Sequence, residues 1–192
     1  MKIMYYKVTL EDKVRVPPNR LGEDLERVIL NVLQEQLEGS ISKEIGIFIS
    51  VTGILNVGEG ELIPGDGAVY YDVRFEAIVL RLALQEVIEG EVVETTSFGA
   101  FVSLGPIDAM LHVSQISDEY INYDEKNGRL ICQDSKRSIA AGDGVRGRIV
   151  ALSLNEREPR ESKIGLTMRQ PGLGALAWLD EEFEEEKKRR SA

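Results

Sequence analysis

Apolar and polar residues alternate along the chain in two regimes, a mixed strand-and-helix half followed by an all-strand half. The opening stretch IMYYKVTLEDKVRVPP has a strand-like pattern and stops at Pro17-Pro18. Beyond it, Leu21, Leu25, Val28, Ile29, Val32, Leu33 and Leu37 recur at helical spacing and make one apolar stripe. Asn19 is placed to cap this helix, Glu23 and Asp24 put acidic charge in its first turn, and Gly39 ends it. Two β-rich stretches follow, IGIFISVTGILNV and AVYYDVRFEAIVLRL. The segment between them, GEGELIPGDG, combines four glycines with Pro64 and reads as a loop. Leu84 to Glu86 run straight into the next strand, so the two halves are expected to share a sheet edge.

The second half reads as five short strands near EVIEGEVVET, FGAFVSL, DAMLHV, VRGRIVAL and KIGLTM, separated by turn signals, the pattern of a small barrel or sandwich. Between the third and fourth lies YINYDEKNGRLICQDSKR, in which Asn127-Gly128 is a hairpin-turn signal. The closing LGALAWLDEEFEEEKKRRSA reads as a helix running into a solvated charged tail. The expected division is therefore residues 1–84, 85–170 and 171–192.

Composition narrows the class. A chain of 192 residues with 43% hydrophobic content suits two small domains. No apolar run approaches the roughly 20 residues that span a bilayer. The start, MKIMYYKVTLEDK, lacks the apolar core of a signal peptide, so a cytoplasmic protein without a membrane partner is expected. Cys132 is the only cysteine, which rules out an intrachain disulfide or a thiolate zinc cluster. The glycine-rich loop lacks the GK[ST] signature of a nucleotide-phosphate cradle, and no cofactor is expected. The net charge is −10, with 9 basic against 13 acidic residues over 1–84 and 10 against 14 over 85–170. A nucleic-acid binder of this charge must rely on stacking and local cations.

The candidate chemistry sits in the second half. In FGAFVSL, Val102 and Leu104 share one strand face and Phe101 and Ser103 the other. Phe98 is out of phase with Phe101, and a bulge at Gly99 would bring both rings to one surface. This strand alone leaves open whether the rings are core or surface. In DAMLHV, Leu111 and Val113 suit the core and turn His112, the sole histidine, outward. Two phenylalanines and a histidine on neighbouring strands make a platform on which unpaired bases stack. Arg146 and Arg148 share a face of VRGRIVAL, and Lys163 opposes Ile164 and Leu166 in SKIGLTM. These three are candidate phosphate or base contacts, although exposed strand charge needs no such role.

At this point a resemblance enters. EGEVVETTSFGAFVSLGPIDAMLHVSQIS, the Gly142-Asp143 turn and KIGLT resemble the RNA-binding OB domain repeated in ribosomal protein S-one. The resemblance implies a five-stranded antiparallel β-barrel whose RNA face uses Phe98, Phe101 and His112. Where that family carries an acidic residue and an arginine, this chain has Ser153 and Lys163. Over nearly the whole chain, from MYYKVTLEDKVRVPP through GEGELIPGDGAVYYDVRFEAIVLR to NYDEKNGRLI and MRQPGLGALAWL, the sequence resembles the large stalk subunits of archaeal and eukaryotic RNA polymerases. The extended tail is the more archaeal in character. Leu80-Arg81-Leu82 stands where many relatives carry an FRP-like segment.

This second resemblance implies an α+β protein, with a truncated RNP-like α/β domain ahead of the OB barrel. It implies a non-catalytic subunit that serves transcription initiation and elongation. The tip, Gly60, Leu62, Ile63, Pro64 and Gly65, would dock on the polymerase core, a small helical stalk subunit would complete a heterodimer, and nascent single-stranded RNA would lie on the barrel. Two other classes stay open from the residues: the RNA-binding arm of a processing enzyme such as an exoribonuclease, and a translation-factor subunit. Against the first, the N-terminal half has no set of metal-binding carboxylates, Asp66 and Asp72 having no third ligand beside them. Against the second, the OB domain leads the chain in the known factors, whereas here it follows.

Overall fold

The computed structural model describes residues 5–191. The first strand, β1 (Tyr5–Val16), therefore begins within the expected stretch, whose Ile3 and Met4 lie outside the described residues. A 3-10 turn at Pro18–Arg20 leads to α1 (Leu25–Leu37), then β2 (Ile41–Ser42), β3 (Gly46–Leu62) and β4 (Val69–Leu80). These strands form one sheet in the order β1-β4-β3-β2, antiparallel throughout. The stripe of α1 packs on one face of that sheet. Val28, Ile29, Val32 and Leu33 are buried against Val14, Val16, Phe48, Val51, Val73, Phe75, Ala77 and Val79.

Two expectations for this half need correction. The helix starts at Leu25, not near Leu21, and its cap is Asp24, whose carboxylate accepts the Arg27 N–H at 3.3 Å, not Asn19. Pro18 draws Asn19 into the 3-10 turn, where its backbone belongs to a different element, and Leu21 is left 44% exposed. The loop is also shorter than its glycines imply. Residues Gly60 to Leu62 stay in β3, in register with Tyr71, Tyr70 and Val69, because the bulges along β3 absorb irregular positions without ending the strand.

The other face of the sheet carries matched charge. Lys7 pairs with Glu76 at 2.7 Å, Arg74 with Glu11 at 2.6 Å, and Lys13 with both Glu61 at 2.7 Å and Asp72 at 3.6 Å. The Lys7–Glu76, Arg74–Glu11 and Lys13–Asp72 pairs span the neighbouring strands β1 and β4, the sheet equivalent of helix-face pairing, while Lys13–Glu61 reaches past β4 to β3.

The second half contains β5 (Val87–Thr96), β6 (Gly99–Ser103), β7 (Asp108–His112), β8 (Ile121–Asp124), β9 (Arg129–Cys132), β10 (Ser138–Ala140), β11 (Gly144–Ser153), β12 (Lys163–Thr167) and β13 (Gly174–Ala175), followed by α2 (Leu176–Ser191). The order β12-β7-β6-β5-β11, with β11 also paired to β12, closes a five-stranded barrel. Its pairings are antiparallel except β7 with β12, where Met110 meets Gly165 in a parallel bridge. The inward alternation is regular: Ile88, Val92, Ala100, Val102, Ala109, Leu111, Val145, Ile149, Ile164 and Leu166 are all buried. Among the described residues, the expected shared sheet edge is not found. β4 ends at Leu80, β5 begins at Val87, and the two lie in different sheets. The chain divides into two compact units, one reaching Arg81 and including Asn155–Pro159, the other comprising Leu82–Leu154 and the residues from Arg160 onward.

The insertion between β7 and β11 folds as its own three-stranded sheet, β10-β9-β8, with Asn127-Gly128 in the β8–β9 turn. Thr95 on β5 anchors it: its hydroxyl donates to the Gly128 carbonyl at 2.8 Å, and its own carbonyl accepts from the Tyr123 hydroxyl at 3.2 Å. Glu119 holds the far end by accepting the N–H groups of Ser135 and Asp134 and the Ser135 hydroxyl, hydrogen bonds that keep its carboxyl below the usual range. Helix α2 is tied to this sheet through Arg137, which ion-pairs with Glu182 at 2.7 Å and stacks over Trp178 at 5.7 Å.

Candidate nucleic-acid interface

The turn between β5 and β6 sets the position of both phenylalanine rings. Thr96 pairs with Gly99, which leaves Ser97 and Phe98 as the turn itself. Phe98 thus escapes the alternation of β6 because it precedes the strand, and no bulge lies at Gly99. The bulge of this hairpin falls on the partner strand, between Val92 and Glu94. Gly99 is nevertheless essential to the geometry. Its φ is +153°, and a Cβ there would come within 2.2 Å of the Leu111 carbonyl oxygen. That close approach lets the Phe98 carbonyl accept the Val113 N–H at 2.9 Å and draws the turn against the end of β7.

The result is a compact cluster on the outer barrel surface. The Phe98 and Phe101 rings meet edge-to-face with centroids 6.3 Å apart and planes at 88°. Phe98 is 50% exposed and Phe101 partly so. His112 lies opposite Gly99 in the β6–β7 register and is exposed. Its Nδ1 accepts the Ser114 N–H at 3.2 Å and lies 2.8 Å from the Ser114 hydroxyl, so the imidazole also caps the short 3-10 turn Val113–Gln115. With Nδ1 accepting, the proton of the neutral ring sits on Nε2 and points away from that turn.

Two neighbours escape a sequence reading centred on rings and strand charges. Met110 is the cross-strand partner of Phe101 and shares its face, adding a polarisable thioether to the cluster. Its position two residues before His112 was the available signal. Arg169, beyond the last barrel strand, ion-pairs with Asp118 and donates to the Ser114 carbonyl at 3.5 Å, which sets a cation beside the histidine turn. Nothing local in the sequence marks it.

The three expected cations fare differently. Lys163 is exposed at the start of β12, two residues from the Gly165–Met110 bridge and so at the margin of the cluster. Arg146 and Arg148 do share the outer face of β11, but the structure does not bring them to the rings. Arg146 faces Glu89 and binds it at 2.7 Å, while Phe101 faces Glu94, five residues further along β5 and roughly 16 Å away at a strand rise of about 3.3 Å per residue. Arg148 donates to the Gln85 carbonyl at 2.9 Å. Ser153 lies opposite Lys163 in the β11–β12 register.

In the other unit, β3 and β4 are joined by a tight turn in which the Asp66 N–H donates to the Ile63 carbonyl at 3.1 Å. Pro64 takes the second position and Gly65, at φ +91°, the third, the signature of a type II β-turn. Leu62 at its base is 72% exposed and Ile63 45%, while Gly60 packs its backbone beneath Tyr71. The turn thus projects two exposed apolar side chains from the end of the sheet. Among the described residues, no group of three or more His, Cys, Asp or Glu side chains is placed to hold a metal ion.

The class follows from these two halves, an α-covered bulged sheet joined to an OB barrel with an aromatic face. Residues 11–67 match the model described as the SHS2 domain found in the N terminus of Rpb7p/Rpc25p/MJ0397, and residues 81–163 match the S1 RNA binding domain. The DNA-directed RNA polymerase subunit Rpo7 of Saccharolobus shibatae is 41% identical over 178 residues, covering 92% of this chain and 97% of that protein. Rpo7 of Sulfolobus acidocaldarius is 36% identical, covering 94% and 97%. RNA polymerase III subunit RPC8 of Saccharomyces cerevisiae is 27% identical, covering 84% and 79%. The chain belongs to the Rpo7/Rpb7 family of DNA-directed RNA polymerase subunits.

Proposed function

We propose that this chain is the large, non-catalytic half of a polymerase stalk, and that its barrel receives nascent single-stranded RNA on the face formed by Phe98, Phe101 and His112. The observation that carries the reading is the exposed edge-to-face pair of rings beside an exposed imidazole, on an RNA-binding class of barrel. Stacking on such rings contributes about 1–3 kcal/mol per base and tolerates any sequence, which suits a transcript. Lys163 and Arg169 supply local positive charge at its margin. Arg146 and Arg148 belong to a separate stretch of surface and contribute little to this face.

The tip formed by Gly60, Leu62, Ile63, Pro64 and Gly65 docks on the polymerase core, and a small helical subunit completes the stalk as a heterodimer. The chain holds RNA and does no chemistry on it. It works where the polymerase works, in the cytoplasm of a cell of archaeal type; none of the described helices is long and apolar enough to cross a membrane.

The test is binding of a short unstructured oligoribonucleotide by fluorescence anisotropy. Phe101→Ala combined with His112→Ala is expected to weaken binding on the order of 10-fold or more, from the stacking energy of a single base upward. Far-UV circular dichroism should be unchanged. Full-strength binding by the folded double variant would refute the assignment of the face.

A further inference from the structure

The Ile63–Asp66 turn is held by more side-chain bonds than a connection of this length needs. The Asp66 carboxylate is fully engaged. One oxygen, Oδ2, accepts from Arg15 Nε at 2.9 Å and from the Tyr70 hydroxyl at 2.7 Å. The other, Oδ1, accepts from Arg15 Nη2 at 2.9 Å and from the Ala68 N–H at 3.1 Å. Arg15 and Tyr70 are themselves cross-strand partners on β1 and β4, so Asp66 bolts the turn onto two strands already in register. Lys13 on β1 reaches Glu61 on β3 and closes the third strand at the same end.

A bidentate arginine–carboxylate pair is directional as well as strong. The hydrogen bonds from Arg15 and Tyr70 keep the Asp66 carboxyl well below the usual carboxylate range. A carboxylate with a depressed pKa gives its full contribution above the unfolded-state value and loses it only as pH falls through the folded value. The clamp is therefore closed throughout the neutral range.

We propose that Asp66 is the positioning residue of the docking tip: its carboxylate, gripped by Arg15 and Tyr70, fixes the turn so that Leu62 and Ile63 meet the polymerase core already ordered. This rests on the docking reading above and adds to it the origin of the tip's rigidity. Ordering a backbone residue costs about 1–2 kcal/mol, and a loop ordered on folding does not incur that cost again on binding.

The experiment is a double-mutant cycle on the full chain, titrated against polymerase core purified without this subunit. Leu62→Ala removes the apolar contact, and Asp66→Asn removes the ion pair and the second acceptor oxygen of the clamp without touching the knob. Tyr70→Phe loosens one of the four bonds. Asp66→Asn is expected to weaken docking about 10-fold, the equivalent of about 1.4 kcal/mol of ordering shifted onto the binding step. Tyr70→Phe should weaken it less. Amide exchange at Asp66 should accelerate in both variants, and RNA binding should not change. The two principal substitutions should be close to additive, because one removes contact energy and the other adds an ordering cost to the same binding step. Wild-type affinity in Asp66→Asn, or amide exchange at the turn unchanged in that variant, would overturn the positioning role while leaving docking intact. If Leu62→Ala alone docks at full strength, the docking reading itself falls, and the clamp with it.

Discussion

Gly99 and Phe98 form the smallest unit on which the candidate interface depends. The phenylalanine is free to present its ring because the glycine behind it admits the Leu111 carbonyl to a distance no Cβ tolerates. Gly99→Ala is expected to destabilise the barrel by about 2 kcal/mol or more, as backbone strain and a steric clash combine at one position. Chemical denaturation should register this as a lower midpoint, with the transition of the other unit monitored separately. Phe98→Ala, by contrast, removes a half-exposed ring and should leave the midpoint nearly unchanged while weakening RNA binding. Equal loss of stability in both variants would mean that Phe98 is a packing residue. At this scale the sequence was only partly readable. His112 faces outward, as its alternation with Leu111 implies, but Phe98 owes its orientation to a turn and not to a bulge. Arg169 reaches the Ser114 carbonyl beside the histidine from 55 residues further along the chain, a contact no local pattern announces.

At the scale of elements, strands were read more faithfully than their ends. The five barrel strands follow from alternation, since a buried face two residues in period leaves little freedom of register. Boundaries depend on competition between neighbours. Asn19 and Asp24 are both good caps, and the choice fell to Asp24 because Pro18 had already committed Asn19 to a 3-10 turn. Asp24→Ala should accordingly cost about 1 kcal/mol of the first unit's stability, with Asn19→Ala nearly neutral. Thermal melts of the two single variants decide between them. The glycine-rich connection was over-read in the same way. Glycines signal permissiveness, and here bulges used it to extend β3 nearly to the turn, which is why the projecting tip is short.

For the whole molecule, charge is the decisive property. A net charge of −10 leaves little broad electrostatic attraction for RNA, and of the two cations placed at the margin of the ring cluster, Lys163 and Arg169, the second is already paired with Asp118. With about −0.7 in log–log slope for each phosphate contacted on a single strand, RNA affinity should fall with salt at a slope no steeper than about −1.4. A slope several times larger would implicate Arg146, Arg148 or other cations beyond the ring cluster. The proposed function asks for no more than a weak, stacking-led affinity, since a component of a polymerase would meet RNA at high local concentration.

The ion pairs across the open face of the first sheet bear on where that transcript goes. Lys7, Glu11, Lys13, Asp72, Arg74 and Glu76 occupy its middle in alternating sign, each charge answered by one on the next strand. A wandering RNA strand gains nothing by settling there. Every phosphate that approaches a cation must displace the carboxylate already bound to it, and the centre of the face offers no ring for a base. The matched charges leave this sheet face with little unpaired positive charge to draw RNA, unlike the ring-bearing barrel face proposed as its site.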